Sequence, residues 1–325
     1  MRVFLAGGTG AIGRRLVPQL VARGHEVTAT TRDPDKVEIL FTLGATPVLM
    51  DGLDGAAVGE AVAKAQPEAI IHEMTALTGT PDFKHFDRWF TQTNRLRTEG
   101  TGHLLAAAKA CGVRRFVAQS YTGWTNARDG GPVKTEADPF DPHPAPVQRE
   151  TLAAIRFVEE AVTSAPLDGI ALRYGSLYGP RASKAMVEIV RGRKMPIVGN
   201  GAAVWSWLHV DDAAAATIVA VEGSQCGIFN IVDDEPAAVA EWLPYLAEAV
   251  GARRPMRVPV WIARFAIGDA GVRMMTEGRG SSNEKARREL GWCPIWSSWR
   301  EGFRHGLLDS QSTELTDSDR LLAAA

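Results

Sequence analysis

The sequence predicts an α/β fold: a doubly wound parallel sheet carrying a small C-terminal α+β lobe. Three observations carry this reading. The stretch RVFLAGGTGAIGRR, from Arg2 to Arg15, joins a short apolar run to three glycines and then to an amphipathic pattern. Apolar runs then alternate with helical patterns to about residue 170, the signature of parallel strands covered on both faces. Beyond Tyr178-Gly179-Pro180 that rhythm breaks into shorter, mixed pieces.

Residues 2–6 read as a buried strand, and from Ile12 a helix runs to about Arg23. Glu26–Thr30 is a second strand, and Asp33-Pro34 opens a helix with Asp as cap and Pro at the first helical position. Thr46–Met50 is a third strand, followed by a helix from Asp54 to Ala65, and Ala69–His72 is a fourth strand. A loop with Gly79, Pro81 and several aromatics leads into a long helix ending near Cys111-Gly112. Arg115–Gln119 is a fifth strand. The polar, proline-rich stretch Asn126–Pro146 has no regular period and reads as a long excursion, a feature that compact domains often keep for function. A helix from Val147 to Ser164 and a strand at Gly169–Arg173 follow.

The later pieces are helices at Ser183–Arg191, Val210–Val221 and Val239–Val250, with short strands at Pro196–Val198 and Gly227–Ile231. Asp211 or Asp212 is expected to cap the second of these helices, and Asn283–Leu290 reads as a short, solvated, charged helix. This divides the chain into residues 1–178, a dinucleotide-binding core to which some later elements return, residues 179–308, a mainly substrate-binding lobe, and a loose tail at 309–325. A ligand crevice between core and lobe is the default expectation.

Composition excludes several classes. The 325 residues are 45% hydrophobic, enough for a large core, and the net charge of −2 with scattered Lys and Arg points to neither nucleic acid nor an anionic membrane. Cys111, Cys226 and Cys293 are far apart and in no metal-binding spacing, so reduced thiols and no metal are expected. The N-terminal apolar run is too short for a signal peptide and no run reaches the length of a membrane span. The expectation is a soluble cytoplasmic protein.

The N-terminal stretch points to a ligand. A strand that turns through Gly7, Gly10 and Gly13, with Ala11 and Ile12 at the mouth of a helix, lets a pyrophosphate approach free N–H groups and the positive helix end. In such folds an acid ending the second strand accepts from a ribose 2′-hydroxyl, whereas an Arg accommodates a 2′-phosphate. Here that strand ends Thr30-Thr31-Arg32, with Asp33 better explained as a cap, so Thr31 and Arg32 favour NADP(H) over NAD(H).

LAGGTGAIG, the pairing of Asp51 with Asp54, GVRRFVAQS, LRYGSLYGP, WLHVDDAA, FNIVDDEP and KARRELGW together resemble the extended short-chain dehydrogenase/reductases, the group containing nucleotide-sugar epimerases and dehydratases. The resemblance runs from Arg2 to about Gly302. It implies a Rossmann-type sheet of about seven strands, a nicotinamide dinucleotide in the N-terminal half, and Asp51 at the adenine edge with Leu53 as an apolar wall. It also implies backbone contact near Tyr174 at the nicotinamide end. Relatives are often dimers, so a homodimer is compatible with the chain.

The resemblance fails at the chemistry. The family uses a Tyr and, four residues later, a Lys, which together move a proton to or from the substrate oxygen. The segment APVQRETLAAIRF places Val147 and Thr151 there, and no Tyr-x-x-x-Lys occurs anywhere in the chain. The resemblance sets Asn94 at the family's Asn position near the start of the long helix and Tyr121 at the position of its catalytic Ser, with Ser120 beside it. Tyr121 is either a substitute proton donor or an amphipathic wall. His72 and Tyr178 read as structural. Glu73 lies near the cofactor or faces solvent, and His143 and Arg149 are placed to meet substrate. Trp205 and Trp207 read as core. The residues leave three functions open: an NADP(H)-dependent reductase of a small carbonyl or enone, a non-catalytic NADP(H)-binding sensor, and a redox-neutral isomerase.

Overall fold

The computed structural model describes residues 1–77 and 81–308; Gly79 and the tail from residue 309 lie outside the described residues. Its centre is a sheet of seven strands, β1 (Arg2–Ala6), β2 (Glu26–Thr31), β3 (Thr46–Leu49), β4 (Ala69–His72), β5 (Arg115–Tyr121), β6 (Asp168–Tyr174) and β7 (Gly227–Ile231). They lie in the order β7-β6-β5-β4-β1-β2-β3, and every neighbouring pair is parallel. The winding reverses between β1 and β4, and in open α/β sheets the ligand crevice lies at that reversal, beyond the carboxyl ends of the strands.

The helical segments among the described residues are α1 (Gly13–Ala22), α2 (Val37–Thr42), α3 (Gly55–Ala65), α4 (Phe86–Arg95), α5 (Thr101–Cys111), α6 (Arg149–Ser164), α7 (Lys184–Arg191), α8 (Val210–Glu222), α9 (Val239–Ala249), α10 (Val260–Thr276, broken at Gly268) and α11 (Trp299–His305). Strand residues alternate between faces, and β1 shows the consequence. Val3 and Leu5 join Leu16, Val17 and Leu20 of α1 and Ala213 and Ile218 of α8 in one core. Phe4 and Ala6 join Val58 of α3, Leu104 of α5 and Val158 of α6 in the other. A third core, around Trp207, Trp242, Trp299 and Phe303, fills the C-terminal part.

Four features depart from the sequence-based expectation. The long helix runs to Cys111 as expected, but a π turn at Leu96–Gly100 divides it into α4 and α5. Helix α6 starts at Arg149, not Val147, after a 3₁₀ turn at Pro146–Gln148 opened by its proline. Neither Asp211 nor Asp212 caps α8. The cap is His209, whose Nδ1 accepts from the Asp211 N–H at 3.2 Å, while the Asp212 carboxylate accepts from the N–H groups of Ile295 and Trp296. Ala286 in the short charged helix is buried in the first core, so only part of that helix is solvated.

The excursion is ordered. Its Val133–Lys134 segment pairs in parallel with Gly280–Ser281, and the Asn126 carboxamide donates to the carbonyls of Arg279 and Gly280 and to Ser281 Oγ. It thereby straps the carboxyl edge of the sheet to the segment after α10. Phe140 of the strap lies 4.4 Å from the guanidinium of Arg173 on β6. That guanidinium is paired with Glu159 of α6 at 2.7 and 2.8 Å, and Ser120 donates to the same carboxylate at 2.6 Å.

Removing one partner of a buried ion pair strands the other charge, at about 3–5 kcal/mol. Glu159→Ala is therefore expected to lose about that much in urea denaturation, and Glu159→Gln less. A loss below about 1 kcal/mol in the Ala variant would mean that Phe140 and solvent hold the Arg173 charge without the carboxylate.

Candidate functional site

The glycine turn is packed to the limit. Gly7 has φ +102°, which an L side chain rarely adopts, and a Cβ there would stand 2.8 Å from the backbone of Glu73. A Cβ on Gly13 would stand 2.5 Å from the Gly7 carbonyl oxygen. The Gly7 N–H donates to Thr30 Oγ1 and the Gly8 N–H to the Thr30 carbonyl, tying the turn to β2. Ala11 is half-buried and Ile12 buried, and at the start of α1 the Arg14 and Arg15 N–H groups donate to the Gly10 and Ile12 carbonyls, so the turn offers the N–H groups ahead of Arg14. A backbone cradle that a Cβ would fill, facing a helix N-terminus, fits a dinucleotide pyrophosphate.

At the end of β2 the Thr31 hydroxyl is used locally, accepting from Thr9 Oγ1 at 3.3 Å and from the Asp33 N–H at 3.2 Å. Asp33 accepts from the Asp35 N–H and pairs with Lys36 at 2.8 Å. The exposed Arg32 is the remaining charged group at this strand end. Asp51 is exposed and accepts from the Leu53 N–H at 3.0 Å, with Leu53 half-buried behind it.

Ser120 and Tyr121, adjacent on β5, point to opposite faces. Ser120 is sealed beneath α6 by its bond to Glu159 and does not reach the crevice. Tyr121 borders a small pocket with Trp124, Ser176, Trp205, Ser206 and Met274. Burial pushes its phenol above the usual value, a hydrogen bond with Ser176 and the nearby charge of Arg97 offsetting this in part.

The positions where the family resemblance sets Tyr and Lys are otherwise employed. Val147 sits half-buried in the 3₁₀ turn. The Thr151 N–H and hydroxyl donate to Asp87 Oδ1 at 2.9 and 2.6 Å, and the Glu150 N–H donates to Asp87 Oδ2. Asp87, on α4, thus places a carboxylate at the N-terminus of α6, where the helix dipole favours it. Asn94 lies at the end of α4, not the start of the long helix, and its amide donates to Thr151 Oγ1 at 3.0 Å.

At the carboxyl end of β4, His72 accepts the Met74 N–H on Nδ1, so its Nε2 carries the proton and donates to the Leu96 carbonyl. Burial holds this imidazole down to about 4, a structural and neutral histidine. Glu73 does not face solvent. Its carboxyl is buried and pushed up to about 8 by that burial, with the bond to Tyr174 acting the other way. The Tyr174 hydroxyl stands between Glu73 Oε1 (2.9 Å) and Thr217 Oγ1 (2.6 Å), and Thr217 donates on to the Ala213 carbonyl. With Glu73 protonated the three O–H groups form one ordered run towards α8, each hydrogen used once. The Tyr174 side chain therefore points into the core, leaving only its backbone at the crevice.

Sequence reading missed Arg97, which the π turn carries inward beside Tyr121. It is buried, its Nη1 has no hydrogen-bond partner, and its guanidinium lies 5.6 Å from the centre of the Phe90 ring. In the sequence it is one more Arg in a polar helix, with no signal to separate it from Arg95. Among the described residues no three His, Cys, Asp or Glu side chains are placed to hold a metal ion, and no helix is long and apolar enough to cross a membrane.

Comparison with known proteins extends the picture. The sequence profile of the NAD-dependent epimerase/dehydratase family matches residues 3–231. A 3-diazoavenalumate denitrifying reductase from a Streptomyces species is 42% identical over 93% of this chain and 99% of its own length. A 2-alkyl-3-oxoalkanoate reductase from Stenotrophomonas maltophilia is 28% identical over 94% and 98%. Among solved structures, Thermus thermophilus UDP-glucose 4-epimerase in complex with NAD superimposes with TM-score 0.71 at 24% identity over 94% of this chain and 98% of the other. A human epimerase family protein with NADPH does so with TM-score 0.71 at 20% identity over 94% and 99%. These last two likenesses are of fold.

Glu73 sets a pH dependence. The folded carboxyl keeps its proton to about 8, against an ordinary value of 4.5, so the native state binds the extra proton between them and stability falls as pH rises through that window. His72, held down to about 4 from 6.5, works in the opposite sense below 6.5, so the Glu73 effect is cleanest above that pH. Glu73→Gln is expected to flatten the decline in melting temperature from pH 6.5 to 9 and to exceed wild type at the top by on the order of a few kcal/mol. Parallel curves for the two proteins would show Glu73 ionised in the fold.

Proposed function

We propose that this chain, which belongs to the NAD-dependent epimerase/dehydratase family, is an NADPH-dependent reductase that delivers hydride to a small organic acceptor, a diazo compound foremost. The observation that carries this reading is the fate of Val147 and Thr151. The cradle for the dinucleotide is kept, while the two positions that would move a proton hold an aliphatic side chain and a hydroxyl committed to Asp87 and Asn94. A carbonyl that accepts hydride must also have its oxygen protonated by a tuned acid. An acceptor that expels a neutral fragment needs none.

When bound, the reduced nicotinamide supplies the hydride. On an arene in its diazonium form the new C–H bond forms with the hydride pair, the C–N bond breaks, and that pair leaves with N₂. Charge and atoms then balance without an acid. The Streptomyces relative, named as a denitrifying reductase of a diazo compound, supports this acceptor. Gly7, Gly10 and Gly13, with the N–H groups at Ala11 and Ile12, hold the pyrophosphate. Arg32, held at the strand end by the Thr31 turn, takes the 2′-phosphate. Asp51 and Leu53 border the adenine, and the backbone at Tyr174 the nicotinamide end. Tyr121 and Trp124 wall the acceptor, and residues 179–308 supply the rest of its pocket.

Reduction of a ketone, with Tyr121 as the acid, is the second reading, favoured by the Stenotrophomonas relative. Its weakness is that burial raises the Tyr121 phenol.

Absorbance of NADPH, followed with an arenediazonium salt, an enone and a β-keto ester, separates the readings. The diazo acceptor is expected to yield one N₂ per NADPH at a rate at least about 100-fold above the ketone, the usual worth of a positioned general acid. Comparable ketone reduction that Tyr121→Phe abolishes would establish the second reading, and no oxidation with any acceptor would leave a sensor. For the cofactor, Arg32→Ala is expected to raise the KM for NADPH about tenfold or more and leave that for NADH nearly unchanged. Equal losses for both nucleotides would remove Arg32 from the 2′-phosphate.

A further inference from the structure

We propose that Arg97 is the anion receptor of the substrate pocket, so that the acceptor is a flat aromatic compound bearing a carboxylate or other oxyanion. This deepens the reductase reading and rests on it for the identity of the pocket. Among the described residues four Lys or Arg side chains are buried: Arg97, Arg115, Lys134 and Arg173. Arg173 has Glu159, Lys134 has Asp138 and the Asp129 carbonyl, and Arg115 donates to the Ala220 carbonyl. Arg97 alone of the four has neither a carboxylate nor a carbonyl, and its Nη1 is buried without any hydrogen-bond partner.

A buried guanidinium in that condition is expensive, because desolvation costs several kcal/mol and the protein offers it the face of Phe90 but no carboxylate or carbonyl. The strain shows as a guanidinium pushed down to about 10 by burial, which still leaves it charged at neutral pH. Retaining such a group is explicable when a ligand brings the missing counter-charge. Its place agrees: the π turn sets it beyond the carboxyl ends of β4 and β5, where its charge reaches both His72 and Tyr121. Single π turns in helices are frequent at functional sites for this reason, since the extra residue redirects a side chain.

The surroundings select the rest of the ligand. Phe86 stacks on Phe90 with ring centres 4.6 Å apart and meets Trp124 edge-on at 5.0 Å, and Trp124 lies 6.3 Å from Tyr121. Arg97 thus stands at the side of a file of four aromatic rings. A flat aromatic body suits such a file, and a planar guanidinium suits a bidentate carboxylate. Phosphate groups of the dinucleotide share the anion chemistry, so the test must tell the two sources apart.

Isothermal calorimetry on the NADP⁺-loaded protein with benzoate, 4-hydroxycinnamate and their methyl esters does so. Wild type is expected to bind the carboxylates about tenfold or more tighter than the esters. Arg97→Gln and Arg97→Met lose that preference, Arg97→Lys recovers part of it, and NADP⁺ affinity, which also reports folding, stays within about threefold. Absence of an anion preference in wild type, including failure of both carboxylates to bind, would overturn the proposal, as would a preference surviving in Arg97→Gln. A parallel loss of NADP⁺ affinity in all three variants would place Arg97 on a cofactor phosphate and overturn it too. If the anion preference holds but no acceptor oxidises NADPH, the reductase reading fails while the anion receptor stands.

Discussion

The glycine turn passes the end of β4 with no room for a side chain between them. Gly7 must pass the Glu73 backbone at a distance that leaves no room for a Cβ, and Gly13 must pass the Gly7 carbonyl as closely. That double constraint brings the first turn of α1 over the carboxyl edge of the sheet, beside the reversal in strand order between β1 and β4. Everything that faces the crevice is positioned relative to it: Arg32 through the bonds of the turn to Thr30 and Thr31, and the β4 end through Glu73.

The same edge shows polar groups redirected from chemistry to architecture. Thr151, where the family resemblance sets a lysine, joins Asp87 and Asn94 in a cap that fastens α6 to α4. Ser120 completes the Glu159–Arg173 pair under the strap. Glu73, Tyr174 and Thr217 form a neutral hydrogen-bonded run between the sheet and α8. Each of these groups is spent on buried hydrogen bonds that are costly to leave unmade. Tyr121 and Arg97 stand outside these networks, and the proposed acceptor, one that needs an anion receptor more than a proton donor, rests on that difference.

Much of this was written in the sequence. The N-terminal glycine spacing, the alternation of apolar runs with helical patterns and the change of rhythm after Tyr178 are local signals. Local signals suffice where backbone sterics and periodicity decide the outcome, as for the Gly7 turn and the parallel sheet. The missing Tyr-x-x-x-Lys was legible for the same reason, being a matter of which residues stand four apart. Gly227–Ile231 was legible as a strand, but its place beside β6 in the main sheet follows from pairing across more than fifty residues.

What the tertiary structure alone decided is the fate of the polar side chains. No local pattern distinguishes His209 from Asp211 as the cap of α8, or Ser120 facing Glu159 from Ser120 facing a ligand, because the His209 ring is held by the Gly306 carbonyl and Ser120 by Glu159, partners distant in sequence. Arg97 is the sharpest case. The sequence places it on a polar helix beside an ordinary surface ion pair, Arg95 with Glu99. A π turn and the packing of that turn and of α4 against α6 bury it without a counter-charge, and a desolvation cost of that kind exists only once the fold has formed.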